Sequence, residues 1–215
     1  MKVIIYVEGP SDKLALNELL KPLIEIKLKQ GVSINFFETP AGDRKLSLLT
    51  KVPVRAVNIL INDPSSLVIA LPDLYPKNKG FPHNTFSELE HGLIENFKNS
   101  LKQKNISIND TLLKRFRVFC FKHDLEALLL AAEESLQDRL GGKPLNIFWK
   151  KPVEDQDHNY PPKYVIEDLF KQHGRKYKDT IDAPLILHNI SYQIIEERCH
   201  QCFRPFVEYL EEIND

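Results

Sequence analysis

Four short apolar runs, Val3–Val7, Val32–Phe37, Leu67–Leu71 and Arg117–Phe121, are separated by longer stretches in which leucine and isoleucine recur at helical spacing. Runs of that length, rich in β-branched and aromatic residues, are too short for helices and suit strands. The nearly continuous run Leu67–Leu71 suits a parallel strand covered on both faces. Between the runs, Ser11 reads as an N-cap for a helix carrying Leu14, Leu16, Leu19, Leu20, Leu23, Ile24, Ile26 and Leu28, with Gly31 as its stop. A second helix is expected from Arg44 to about Ile61, bent or interrupted at Pro53. A third runs from a cap at Thr85 or Ser87 to about Lys104, and a fourth from His123 to Leu140. Strand alternating with helix predicts an α/β fold with a mainly parallel sheet flanked by helices. After Gly141-Gly142 the character changes. Residues 143–162 are polar, proline-bearing and aperiodic, and short helices follow at Lys163–His173, roughly Ile190–Cys199, and Phe203–Glu212. The expected organisation is an α/β domain over 1–140 and a helical C-terminal extension over 141–215 packed on it.

Bulk properties exclude several classes. A formal net charge of −1 over 215 residues gives no whole-chain attraction to nucleic acid and leaves only local patches to bind it. The longest apolar stretches fall far short of the ~20 residues that span a bilayer. The chain starts directly with a strand and shows no signal-peptide pattern. Three cysteines, Cys120, Cys199 and Cys202, make no even disulfide framework. The expectation is a reduced, cytoplasmic protein with no membrane association.

The candidate chemistry lies in the acids. Glu8 follows the first apolar run and precedes Gly9 and a helix start. An ionised carboxylate at the end of a buried strand is costly unless something positive meets it. Asp73 follows the third run in the same way, and Asp124 follows the fourth. Asp12 lies one helical turn beyond Glu8, and Glu126 shares a helix start with Asp124. Ligands of open α/β sheets bind beyond the carboxyl ends of the strands. Several carboxylates converging there repel one another, and a hard cation such as Mg²⁺ or Mn²⁺ relieves that repulsion. Acids in a first helical turn also serve as plain caps, a description that fits Asp12, Asp124 and Glu126 equally. Glu8 precedes the glycine and does not fit it.

Two basic groups are candidate phosphate or nucleic-acid contacts. Arg44 and Lys45 follow Gly42, where a loop and a helix N-terminus hold anions. Lys163, Arg175, Lys176 and Lys178 form the second group, and a solvated charged surface is the alternative for both. Lys77-Asn78-Lys79-Gly80, in the proline-rich loop Pro72–Pro82, reads as an exposed tip. Cys199-His200-Gln201-Cys202 offers too few ligands for tetrahedral zinc. There is no P-loop, no Gly-x-Gly-x-x-Gly and no nucleophile elbow.

Val7-Glu8-Gly9-Pro10-Ser11-Asp12 resembles the first motif of TOPRIM domains, in which a glutamate after the first strand precedes a glycine and a helix bearing an acid. The TOPRIM pattern also has an Asp-x-Asp after a later strand. Here the matching segment is Asp73-Leu74-Tyr75, with Tyr75 where the second acid would stand. More closely, the chain resembles the TOPRIM-like family catalogued as domain of unknown function 4276. That resemblance is carried by the Glu-Gly start, Ala41-Gly42-Asp43-Arg44-Lys45-Leu46, and His123–Ala131. Further along it is carried by Lys151–Asp155 with Pro161-Pro162-Lys163, and by Tyr177-Lys178 with Ala183–Ile186.

The resemblance implies a TOPRIM-like sheet, a Mg²⁺ (or Mn²⁺) site and a nuclease. It also implies a partner ATPase of the AAA or ABC type in bacterial defence against phage. Glu8 would be metal ligand or general acid–base, and Asp73 a metal ligand. Asp124 or Glu126 would replace the ligand lost at Tyr75, unless the site is degenerate. The leading expectation is metal-dependent phosphodiester hydrolysis of DNA or RNA. The alternatives are a degenerate binding subunit that docks an ATPase or ligand, and a phosphatase acting on a small molecule. The sequence leaves the oligomeric state open.

Overall fold

The computed structural model describes residues 1–214. The chain runs β1 (Lys2–Val7), α1 (Pro10–Leu19), α2 (Lys21–Lys29), β2 (Ser33–Glu38), α3 (Arg44–Asn62), β3 (Ser66–Leu71), α4 (Phe86–Gln103), α5 (Asp110–Lys114) and β4 (Phe116–Val118). It continues through α6 (Glu126–Ala131), α7 (Glu133–Arg139), a 3-10 turn (Val153–Asp155), α8 (Pro162–Gln172), α9 (Asp179–His188), α10 (Tyr192–Arg198) and α11 (Phe203–Glu212). The fold is α/β, as the alternation predicts.

Two compact units result. One comprises residues 1–9, 24–120 and the C-terminal end from 213; the other comprises 10–23 and 121–212. The units therefore divide at Cys120/Phe121 and take α1 into the second, where the sequence reading sets a single boundary at residue 140.

The first unit holds the sheet, four strands in the order β2-β1-β3-β4, all parallel. Every residue of β3 is buried, as a parallel strand covered on both faces requires. At the edge, β2 buries Ile34 and Phe36 and leaves Phe37 exposed. Expected at Arg117–Phe121, β4 instead spans Phe116–Val118. Phe116 stacks on Phe97 of α4 with ring centroids 4.7 Å apart and pairs with Val68 of β3, so the strand begins one residue earlier than expected. The register brings Val7 level with Leu71 of β3 and Glu38 of β2, so three strands end at one rim.

Helix α3 runs straight through Pro53, against the expected interruption. A proline removes the hydrogen bond to the carbonyl four residues earlier. Here that carbonyl, Leu49, accepts from Asn96 Nδ2 of α4 at 3.3 Å, so the break is compensated from outside. The expected single helix after β1 is two, because Pro22 stands where the ladder needs a donor and α2 restarts at Lys21. The first of them starts at Pro10, one residue before the expected cap, where a missing N–H costs nothing. Gly31 ends α2 as expected, at φ +82°, with Val32 N donating to Lys27 O and Gly31 N to Leu28 O.

The second unit is helical. The expected helix over His123–Leu140 is divided at Ala132 into α6 and α7. Arg198 of α10 explains the division. Its Nη1 donates to the Ala131 carbonyl at 2.6 Å, taking that oxygen out of the helical ladder, while the guanidinium pairs with Glu134. Helix α9 packs on α1, α6 and α7, and α8 packs on α6. No helix among the described residues is long and apolar enough to cross a membrane.

Candidate functional site

Within the first unit, β1 and β3 deliver Glu8 and Asp73 to the same rim. Glu8 is the residue after β1, and Asp73 the second after β3. The backbone N–H of Asp73 donates to Glu8 Oε1 at 3.0 Å. The residues after β2 complete the rim: Thr39 N donates to the Val7 carbonyl at 3.2 Å, and Thr39 Oγ1 donates to the Glu8 carbonyl at 2.8 Å. Thr39 is buried and ties the loop before α3 to the glutamate. That loop ends at Asp43, whose side chain caps α3 by accepting from Leu46 N at 2.8 Å. Gly42, at φ +112°, makes the turn into it.

Burial pushes the Glu8 carboxyl above its ordinary range, the Lys45 charge and the Asp73 N–H pull it back, and the Asp43 charge pushes it up again. The net direction is up: this acid keeps its proton to higher pH than an exposed glutamate. Lys45 also donates to the Pro76 carbonyl, which ties the loop after β3 to the start of α3. Farther along that loop, Tyr75 donates its hydroxyl to Asn84 O at 2.9 Å, Lys77 donates to Asn84 Oδ1 at 2.7 Å, and the buried ring of His83 bonds Leu74 O and Phe81 O. Arg44 opens α3 half-buried.

Asp124, Glu126 and Asp12 lie in the second unit, with Lys163, Lys178 and Tyr177. Asp124 does not follow a strand directly, since β4 ends at Val118 and an irregular segment intervenes. Its Oδ2 accepts from Lys163 N at 3.3 Å at the start of α8, while Oδ1 is buried without a hydrogen-bond partner. Burial, then the charge of Glu126, raise the Asp124 carboxyl from 3.8 to about 8, against the pull of Lys163. Glu126 opens α6 and is buried, with Oε1 accepting from the Tyr177 hydroxyl at 3.1 Å. Burial raises its pKa; Lys163 opposes, and Asp12 adds to the rise. Burial lowers the Lys163 pKa, but Glu126, Asp179 and Asp124 outweigh it and the ammonium is held charged. The Tyr177 phenol, buried beside Glu126, is held protonated well above its ordinary range.

The acids read from the sequence thus fall into two sets, Glu8 with Asp73, and Asp12 with Asp124 and Glu126. Among the described residues no group of three or more His, Cys, Asp or Glu side chains is arranged to hold a metal ion by itself. Mg²⁺ needs fewer: it is commonly held by one or two carboxylates, with waters and substrate phosphate completing the octahedron. In the first unit Glu8 is a hard oxygen donor with a raised pKa; in the second Asp124 and Glu126 are, and Asp124 Oδ1 is buried without a partner, features that fit the donor chemistry of a hard cation.

Sequence reasoning missed Thr39, which carries no motif, and the buried Glu154. Glu154 accepts from Gln201 N at 2.7 Å and Cys202 N at 2.8 Å, and so caps the turn that bears the two cysteines. Glu154 entered the sequence reading only within the family segment Lys151–Asp155, with no role attached. Tyr177 was visible only through its family motif.

Residues 7–211 match the family described as Domain of unknown function (DUF4276). No curated protein matches the chain. Among solved structures, the chain is similar to the C-terminal region of the Burkholderia pseudomallei OLD protein. There the identity is 14%, the coverage 98% of this chain and 96% of that one, and the TM-score 0.47. The C-terminal region of the Xanthomonas campestris pv. campestris OLD protein is similar at 14% identity, with 98% and 94% coverage and a TM-score of 0.44.

Proposed function

The chain belongs to the DUF4276 family, and from that membership we propose a TOPRIM-like, Mg²⁺- or Mn²⁺-dependent phosphodiester hydrolase acting on nucleic acid. The observation that carries the reading is the meeting of Glu8 with Asp73 at the carboxyl ends of adjacent parallel strands. Glu8 and Asp73 would hold the cation, which supplies charge neutralisation at a phosphate when bound. Asp12, Asp124 and Glu126 form a second carboxylate set of the same donor chemistry.

This chain's own residues then divide the work. Burial raises the pH at which Glu8 ionises, and it would serve as cation ligand in its ionised form or as general acid–base group. Lys45 tunes it and adds positive charge for a phosphate oxygen. The backbone of Asp73 and the hydroxyl of Thr39 fix its position. Arg44 at the start of α3 is a further phosphate contact there; Lys163 and Lys178 are candidate phosphate contacts of the second unit by itself. An ATPase partner and a role in defence against phage belong to the same proposal and rest on the family resemblance alone.

Purified protein incubated with plasmid DNA or tRNA and Mn²⁺ tests the reading. Loss of a general acid–base group costs about 10²–10⁴-fold, so Glu8→Gln is expected to lose cleavage by that factor while its unfolding midpoint stays within a few degrees. Undiminished cleavage by Glu8→Gln removes the proposal. Lys45→Met is expected to move the acidic limb of the pH–rate profile to higher pH, because the charge that lowers the Glu8 pKa is gone.

One observation favours a second reading, a non-catalytic subunit that binds a ligand or partner. Tyr75 stands where an acid would complete Asp-x-Asp, and its hydroxyl is committed to the Asn84 carbonyl. Under that reading Tyr75→Asp changes nothing in cleavage; under the first it increases Mn²⁺-dependent turnover.

A further inference from the structure

We propose that the second unit carries a phosphate-binding cavity, built by Arg139, Arg175, Lys176 and Lys178, that takes the backbone of a nucleic-acid strand. It rests on the nucleic-acid reading above and extends it to residues of α7 and of the segment before α9.

A cavity of about 320 Å³ is lined by Arg139, Arg175, Lys176, Lys178, Ile181 and Asp182. Four cations therefore face one carboxylate. That carboxylate is already spent: Asp182 is buried, its Oδ1 accepts from Arg139 Nε and Nη2 at 2.9 and 2.7 Å, and its Oδ2 accepts from Lys178 N at 2.8 Å. It neutralises Arg139 and fixes the start of α9. Arg175 reaches Asp182 only at 3.6 Å, donates to the Arg139 carbonyl, and lies over the Phe170 ring at 5.3 Å. Both guanidiniums are thus held in place by the fold before any ligand arrives, which lowers the ordering cost of binding.

The two lysines are different. Lys176 and Lys178 are exposed, and neither ammonium has an ion-pair partner among the described residues. Asp179, the next residue along the chain from Lys178, is directed to Lys163 at 3.9 Å. A structural ion network places cations against carboxylates; here the excess cations are left beside a hollow.

The segment also links the hollow to the acids. Tyr177, between the two lysines, is buried and donates its hydroxyl to Glu126, while its neighbours on either side line the cavity. One strand-like stretch thus presents alternate residues to the carboxylate set and to the cation-lined hollow. Four cations against the one carboxylate leave the hollow with a net charge of +3. Successive phosphodiesters of one strand, each with a single negative charge, can balance that excess along the two exposed lysines. A single small phosphate balances only part of it.

Binding of a fluorescent single-stranded oligonucleotide by the full chain, in EDTA so that no cleavage intervenes, is the test. Each phosphate contact on a single strand contributes about 0.7 to the slope of log K against log salt. The double variant Lys176→Ala, Lys178→Ala is therefore expected to lower that slope by about 1.4, and to weaken binding at least several-fold at low salt. Lys176→Arg, Lys178→Arg is expected to restore both. An unchanged slope and affinity in the alanine variant overturns the proposal. So does protection of the wild type, but not the variant, by inorganic phosphate with oligonucleotide binding unaffected, which makes the cavity a small-anion site. A lowered slope without Mn²⁺-dependent cleavage by the wild type keeps the cavity and removes the hydrolase.

Discussion

Two sets of acids in one chain are handled in opposite ways. Glu8 sits at a strand end where backbone and side-chain donors are plentiful: the Asp73 N–H reaches its carboxylate, Thr39 its carbonyl, and Lys45 supplies a nearby charge. Asp124 and Glu126 sit at a helix start among buried side chains, with one carboxylate oxygen left without a partner and a phenol and a lysine as their main relief. In both places burial is the largest cause of a raised pKa, but the first set is organised by the sheet and the second by side chains from α8 and the segment before α9. A parallel sheet brings strand ends together whatever their sequence; a helical cluster must be assembled residue by residue. The first site should therefore tolerate changes around it, and the second should register every lost contact.

The largest effect is expected at Asp124. Its carboxyl titrates at about 8 in the fold against an ordinary 3.8. Between those values the folded chain keeps a proton that the unfolded chain has released. The stability that this proton provides is complete in acid and is lost as pH rises through the folded pKa. The metal-free protein should lose up to about 1.4 kcal/mol of stability per pH unit across that window, the ceiling for one proton. Asp124→Asn cannot titrate, so urea unfolding at pH 5 and pH 8.5 should show the variant gaining on the wild type at the higher pH. A constant difference between them removes the contrast between the two sets.

A smaller loss is expected for Tyr177→Phe. It strips the buried Glu126 carboxyl of the Tyr177 hydroxyl, a donor at 3.1 Å, and leaving a buried polar group without its partner costs about 1–3 kcal/mol. Chemical denaturation at pH 8 measures it, and a difference under a few tenths of a kcal/mol contradicts the account. Smaller still is Thr39→Val, which removes the bonds to the Glu8 and Arg44 carbonyls and is expected to cost about 1 kcal/mol. If Thr39→Val is the more damaging of the two, the sheet-built site is the fragile one and the comparison reverses.

The parts of the fold legible in sequence are those governed by local rules. The apolar runs at β1 and β3 fall within a residue or two of their strands, the stop at Gly31 is where the φ +82° residue lies, and α11 spans the expected Phe203–Glu212. What escaped depends on residues distant along the chain. Nothing near Pro53 announces that Asn96 will take up the Leu49 carbonyl, and nothing near Ala132 announces Arg198. Helix α9, with Pro184 inside it, has no clear apolar period, and only the family resemblance implied a helix there.

The candidate site divides the same way. That Glu8 and Asp73 reach one rim was legible because parallel strands in register end together. The partition of the remaining acids into a second unit was not, because α1 leaves the sheet-bearing unit immediately after Gly9. Arg139 went unread because its role depends on Asp182, which lies in another helix.

Titration calorimetry with Mn²⁺ on the wild type, Glu8→Gln, Asp73→Asn and Asp124→Asn tests most directly whether the strand-end pair is a cation site. The account predicts saturable heat with the wild type that disappears in both Glu8→Gln and Asp73→Asn. Saturable heat that persists in those two variants, or no heat from the wild type at millimolar Mn²⁺, contradicts it.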